Sequence, residues 1–417
     1  MLDDIQHRLR FGLSRDLWLV TLGIFLNSLG YGAVLPFEVI YLHDGRGFSL
    51  SVAGLVVAML SGVAVVTAPL AGPLIDRFGS RAIAGIAGVA LAAGYGGLAF
   101  APTPSLALAA AVLGGAGNGM LNPSQTTLVA TLARSDVRHR ATAVSRVAAN
   151  TGYGIGGALG GLVATYGLTG YIALYLANAV TYLVYIAVLL AVVREPARPE
   201  PTTGGYRVVV HDGAFLQLAF INLALIAVGW GVFTWLLPPY AKDDIGLGTP
   251  LIGLILLANT ATVVVAQVPV AKFAEGRRRV VMMAVAASLF VGACLLVIAA
   301  GAGRTMAYAD LIIASIAVGI GECFHTTVLS PLVADLAPTS LRGRYMAAMG
   351  LSWWAGLAVT PALGTPILSI SSTATFLIAA GVAASAGLSA LSLERRLPAT
   401  SRLTPRPSEA IAPSESS

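Results

Sequence analysis

The sequence predicts an all-α membrane protein with 12 transmembrane helices in two pseudo-symmetric six-helix bundles. Three observations lead there. First, hydrophobic residues make up 57% of the 417 positions and charged residues only 11%, more apolar material than a soluble core could hide. Second, apolar runs near the ~20 residues that a helix needs to cross the hydrocarbon layer recur along the whole chain. They read as helices because unpaired backbone is too costly in lipid, and the short alternating segments of a membrane barrel are absent. Third, the chain repeats itself: residues 128–164 lie on 332–368 without a gap, 204 positions later, with 12 of 37 identical. The identities include Arg138/Arg342, Arg140/Arg344, Gly152/Gly356 and Ala158-Leu159-Gly160 against Ala362-Leu363-Gly364.

In chain order the predicted spans are 17–41, 51–75, 82–101, 105–128, 141–164, 171–193, 215–237, 251–271, 280–300, 306–329, 345–368 and 375–393. The first span, which follows a polar segment, lacks a small-residue cleavage site, so it is expected to stay as helix 1. Between the sixth and seventh spans the chain turns rich in Pro, Gly and charge, which marks a linker. The predicted organisation is an N-terminal bundle (1–193), a cytoplasmic linker (194–212), a C-terminal bundle (213–397) and a disordered cytoplasmic tail (398–417). Loops such as Pro102-Thr103-Pro104 hardly do more than turn, which leaves no room for a soluble catalytic domain.

An even number of spans places both termini on one side. If that side is the cytoplasm, its loops and tails hold 21 of the 25 Lys and Arg, three (Arg46, Lys242 and Arg304) lie outside, and the last, Arg146, lies within a span. The net charge of +6 therefore reads as a topology signal rather than as nucleic-acid binding. Cys294 and Cys323 both fall within spans, which does not support a disulfide framework. Arg outnumbers Lys 23 to 2, which hints at a GC-rich bacterial genome, and a bacterial cytoplasmic (inner) membrane is the expected location.

The loop after the second span reads Gly72-Pro-Leu-Ile-Asp76-Arg77-Phe-Gly79-Ser-Arg81. Asp76 is unusual: it lies near the carbonyl-rich end of a helix, where the dipole disfavours negative charge, so it needs a partner. This segment closely resembles the signature loop Gly-x-x-x-Asp-Arg-x-Gly-Arg-x of the major facilitator superfamily, with Ser80 in place of one Arg. A degenerate second copy runs from Lys272 to Arg279. The resemblance covers nearly the whole chain. It implies that Asp76, with Arg77, Gly79 and Arg81, acts as a gate latch on the start of helix 11, around Arg342, Arg344 and Tyr345. On the fifth span, Gly152-x-x-x-Gly156-Gly157-x-x-Gly160-Gly161 looks like the antiporter motif of the family's drug:proton exchangers, with Gly157 where Pro is expected. The repeat copy keeps that proline as Pro361. The Arg that many proton-coupled members carry on helix 4 is Ala111 here, which leaves Arg146 as the remaining arginine candidate.

Glu322 is the only acid well inside a span, Glu38 and Asp310 lying near the outer ends of theirs. An ionisable group at that depth costs at least ~2.5 kcal/mol, so it faces a cavity or a partner. His325 follows one turn later on the same face. Glu322 with His325 and Arg146 is the expected proton-coupling set; a structural hydrogen bond between helices is the alternative for Glu322. The repeat maps Glu322 onto Asn118. Asn118 and Asn122, Asn150 and Tyr153, and Asn27 and Tyr31 recur at helical spacing. The resemblance places such stripes along a central cavity, with Asn222, Trp230, Trp353 and Trp354 as further lining. Trp235 is expected at the lipid interface.

These features lead to a secondary active transporter that works by alternating access, with proton-coupled efflux of small hydrophobic or amphipathic compounds, as in multidrug exporters. A proton-coupled uptake symporter or facilitator for a small metabolite or sugar is the alternative, and a non-transport membrane protein ranks below both. No phosphate-binding loop, metal-ligand spacing or nucleophile elbow occurs, so neither an enzyme nor an ATP-driven pump is expected. The expected partners are the lipid bilayer, protons and a small-molecule substrate. No cofactor, no metal and no nucleic acid are expected, the proton gradient is the energy source, and a monomer suffices.

Overall fold

Polar residues at the edges of the apolar runs start the helices. The computed structural model describes residues 13–133, 138–192, 208–303, 306–338 and 341–404. Helix α1 (Arg15–Gly45) begins where the Ser14 hydroxyl accepts from the Leu17 amide. It tightens to a 3-10 turn at Leu35–Phe37, around Pro36, and widens to a π turn at Tyr41–Gly45. Ser49 caps α2 (Leu50–Phe78), and α3 is Ser80–Phe100. Thr103 caps α4 (Pro104–Leu132), whose proline sits at the first position, where no amide is needed. Helices α5 (Arg138–Val163) and α6 (Gly167–Val192) form one helical run, broken only by a 3-10 turn and by Gly167 at φ 62°. That left-handed residue makes two spans of the 52-residue stretch Arg140–Ala191, so the 11 apolar helical runs among the described residues amount to 12 crossings.

The second half repeats the plan as α7 (Gly213–Asp243), α8 (Thr249–Ala274), α9 (Arg279–Ala302), α10 (Ala307–Leu336), α11 (Arg342–Leu368) and α12 (Ser372–Leu393). Helix α4 ends at Leu132 and α5 begins at Arg138, while α10 ends at Leu336 and α11 begins at Arg342, the same 204-residue offset. The internal repeat is therefore a structural one.

The compact units do not coincide with the halves of the sequence. The first unit takes in Met1–Thr203, Gly231–Thr260 and Leu357–Ser372, so the ends of α7, α8 and α11 far from the linker belong with the N-terminal helices. Small residues explain this, because they let helix backbones close up in lipid. A Cβ on Gly54 would meet the Thr365 side chain and the Pro361 carbonyl, and one on Gly161 would lie 2.6 Å from the Thr249 carbonyl. Within this unit α1 packs on α5 and α6, and α4 packs on α2 and α3. Gly152, Gly156 and Gly160 step along α1 at Phe25, Leu29 and Ala33, four residues apart on both helices.

The second unit takes in Gly204–Trp230, Ala261–Gly356 and Thr373–Ser417. Here α9 packs on α10, with the Phe290 ring against Gly229 and Gly321. Asp212 caps α7 through the Ala214 and Phe215 amides, and its other oxygen accepts from the Tyr345 hydroxyl at 2.9 Å. The described part of the linker (208–212) is this capping turn. The tail expected from residue 398 onward starts as structure instead. Residues 402–404 exchange backbone hydrogen bonds with Gly276, Arg277 and Arg279, pairing Leu403 with Arg278. The polar turn between α8 and α9 had free backbone groups for the tail to satisfy. Residues 405–417 and 193–207 lie outside the described residues. Large exposed apolar side chains such as Val66, Val265, Leu377 and Leu388 cover the outward faces of the helices, as lipid-facing surface requires.

Candidate transport sites

In the first unit, one face of α6 carries Tyr171, Tyr175, Asn178, Tyr182 and Tyr185, all buried. Their spacing of three, four and seven residues makes one stripe. Tyr182 stacks on Tyr95 of α3 at 6.2 Å between ring centroids, and Tyr175 lies tilted against the same ring at 6.0 Å. Tyr31 of α1 lies edge-on to Tyr95 at 6.0 Å and to Tyr153 of α5 at 5.9 Å. Into this aromatic box projects Glu38, only 1% exposed. Trp235 Nε1 donates to its Oε2 at 3.0 Å, and the Tyr95 hydroxyl reaches its Oε1 at 3.3 Å.

Two sequence expectations change here. Glu38 had been set aside as lying near a span end, yet it is a buried carboxyl enclosed by rings. Trp235, expected at the lipid interface, is 1% exposed, because its indole N–H has a carboxylate partner inside the protein. The signal that could have found the box was the tyrosine stripe on the sixth span, since aromatic residues with a polar tip at helical spacing seldom face lipid.

The structure brings Tyr31 and Tyr153 together in the box, and it places Asn27 one turn along α1 from Tyr31. Asn27 is 5% exposed, with neither amide atom hydrogen-bonded among the described residues. Asn118 is half-buried and donates to the Leu60 carbonyl at 3.4 Å, whereas Asn122 is exposed and close to Thr126. Asn150 is half-buried and Arg146 is exposed.

In the second unit, the Asn222 amide donates to Ser352 Oγ at 2.6 Å, tying α7 to α11, and Trp230 lies 6.0 Å from Trp353 between ring centroids. Trp354 is half-buried beside it in sequence. Glu322 is half-buried at mid-length of α10, and His325 is 2% exposed with Nε2 unpartnered among the described residues. On the same helix, Thr327 accepts from Gln267 of α8 at 3.1 Å.

The expected gate residues occupy helix ends. Gly79, at φ 91°, makes the turn between α2 and α3, with Asp76 half-buried one turn before it. Arg77 lies against the Phe78 ring, and Arg81 donates to the Leu190 carbonyl at the end of α6. In the degenerate copy, Arg279 is 1% exposed and lies 2.7 Å from Asp335, an ion pair by proximity rather than an aligned hydrogen bond. Arg342 donates to the Ala334 carbonyl at 3.1 Å, Arg344 is half-buried, and Pro361 is buried.

Twelve apolar crossings, a structural repeat and polar groups held at mid-helix are the marks of a multi-pass membrane transporter. The profile described as Major Facilitator Superfamily matches residues 20–236 and again 219–415, and the chain belongs to that family. It is 25% identical over 367 residues to the uncharacterized MFS-type transporter YttB of Bacillus subtilis, covering 84% of this chain and 88% of that one. The multidrug resistance protein MdtH of Aeromonas hydrophila is 26% identical over 62% of this chain and 64% of its own length. For the quinolone resistance protein NorA of Staphylococcus aureus the figures are 25%, 56% and 60%. Among solved structures, a point mutant of the peptide transporter POT superposes with a TM-score of 0.76 at 17% identity, covering 93% of this chain and 95% of that one. A point mutant of the nucleoside transporter NupG gives 0.75 at 11% identity, covering 91% and 100%. These structures share the fold.

Proposed function

We propose that this transporter exports small hydrophobic or amphipathic compounds in exchange for protons, by alternating access, as a monomer in a bacterial inner membrane with both termini cytoplasmic. The observation that carries the reading is the chemistry of the polar groups. Aromatic rings and neutral amides (Tyr31, Tyr153, Asn118, Asn222, Trp230, Trp353) predominate, with Glu322 as the acid at mid-length of α10. Such groups suit apolar cargo, while an acid at mid-depth in a span suits proton exchange. The names of MdtH and NorA, both resistance proteins, and the glycine run on α5 support the same direction. The reading needs no cofactor beyond the proton gradient. Flux into inverted vesicles under an imposed pH gradient, against a mixed compound panel, tests it: accumulation supports efflux, and gradient-driven release favours the uptake reading instead.

Two further results are expected. Glu322→Gln should lose pH-driven exchange, and unchanged coupling would remove Glu322 from the proton path. Asp76→Asn should cut transport while leaving membrane insertion intact, because a latch at the α2–α3 turn needs the negative charge. Normal flux in that variant would rule the latch out.

A further inference from the structure

Among the described residues Glu38 is the acid that is buried, at 1% exposed: tyrosine rings of α1, α3 and α6 and the Trp235 indole of α7 surround it, and both its oxygens are held by neutral donors. Tyr31 on its own helix, Tyr95 on α3, and Tyr175 and Tyr182 on α6 stand within electrostatic reach, and Tyr153 of α5 closes the box beyond Tyr31. Helix α7 contributes Trp235. Helix α2 has no titratable residue before Asp76, and the parts of α8 and α11 in this unit have none. The cations at the end of α1 and in α7 are engaged elsewhere: Arg46 is committed to the Tyr41 hydroxyl and the Ala99 carbonyl, while Lys242 pairs with Asp44. No ion pair to Glu38 exists among the described residues. A carboxylate so placed has lost its water without gaining a counter-charge, so its charge rests on these neutral donors alone.

The backbone around it is irregular on both sides. Pro36 and a 3-10 turn precede Glu38, and a π turn follows it. Trp235 lies in a ten-residue π-helical stretch, Ala227–Leu236, followed by Pro238 and Pro239. Wide and tight turns of this kind mark places where a helix changes shape in function. The same stretch is where α7 passes from the second unit into the first, at Gly231.

We propose that Glu38 is a proton-exchange residue of the transport cycle, and that Trp235 and Tyr95 form a clasp that registers its charge. Charged, Glu38 accepts from both donors and holds the far part of α7 on α1 and α3. When a proton from the compartment at that end binds, the new carboxyl hydroxyl becomes a donor. The Tyr95 bond can reverse, since a phenol both donates and accepts, and the Tyr31 hydroxyl extends the chain. An indole N–H can only donate, so its bond to Glu38 weakens and α7 is freed to move. The proton leaves to the opposite compartment when the clasp re-forms. This places the coupling near one end of α1, apart from Glu322 on α10, and it rests on the proton-exchange reading of the function.

Two measurements on the full-length protein test it. In pH-difference infrared spectra of protein in liposomes, a protonated-carboxyl carbonyl band should appear on acidification and be missing in Glu38→Gln; identical spectra would overturn the proposal. In inverted vesicles, Glu38→Gln should keep downhill movement of ethidium and lose the accumulation that a pH gradient drives. Retained accumulation would also overturn it. If the unsubstituted protein couples no compound to protons, the proposed function falls instead, while the infrared spectra still decide whether Glu38 binds a proton.

Discussion

Replacing Trp235 with alanine is expected to destabilise the first unit by about 3–5 kcal/mol, the usual range for deleting a large buried aromatic side chain. Trp235 is among the largest fully buried side chains, and α7 has no other hydrogen bond to Glu38 among the described residues. Truncation would leave both a void and an unsatisfied carboxyl oxygen. Trp235→Phe separates the two effects, because it keeps most of the volume and loses only a hydrogen bond to an acid, about 1.5–3 kcal/mol if that acid is charged. Thermal unfolding in detergent should rank unsubstituted above Phe above Ala. A cycle with Glu38→Gln should show non-additivity, because the two residues share one bond. Equal melting of all variants would mean that the indole is not held as described.

Gly160→Leu is expected to impair assembly of α1 on α5. A Cβ at Gly160 would overlap the Ala33 carbonyl oxygen, and one at Gly156 would overlap the Leu29 carbonyl oxygen. Backbone carbonyls cannot swing away as a side chain can, so the helices must separate. Overpacking of this kind costs about 1–3 kcal/mol per site, and the pair Gly156→Leu/Gly160→Leu should leave little monodisperse protein on gel filtration. Gly157→Ala is the control: its Cβ would have no neighbour closer than 3.7 Å, so normal behaviour is expected. A monodisperse Gly160→Leu protein with unchanged melting would contradict the close approach.

These two results bear on different parts of the sequence reading. The glycine run was legible, since spacing of four along an apolar helix specifies a smooth face whatever the partner. Its partner was not legible, because nothing local says that the face meets α1 at Phe25, Leu29 and Ala33. Asn222 stood out in the sequence as an amide inside an apolar span, while its bond to Ser352 was not legible, since it joins residues 130 positions apart. Glu38 was missed for another reason. Depth counted along a span measures distance from the span's end, whereas burial depends on the neighbouring helices. Tyr95, Tyr175 and Trp235 come from three other helices and make a dry box of a position that looked peripheral.

The sequence alone determined the membrane fold, the 12 crossings, the internal repeat and the family. Each follows from composition, run length or a short motif, and those act through the local hydrophobic and backbone hydrogen-bonding demands of lipid. Only the tertiary structure decided which polar groups meet. It assigned the far ends of α7, α8 and α11 to the unit of the N-terminal helices, and it surrounded Glu38 with rings and neutral donors. Close packing between helices distant in sequence set both, and no periodicity within a single helix encodes it.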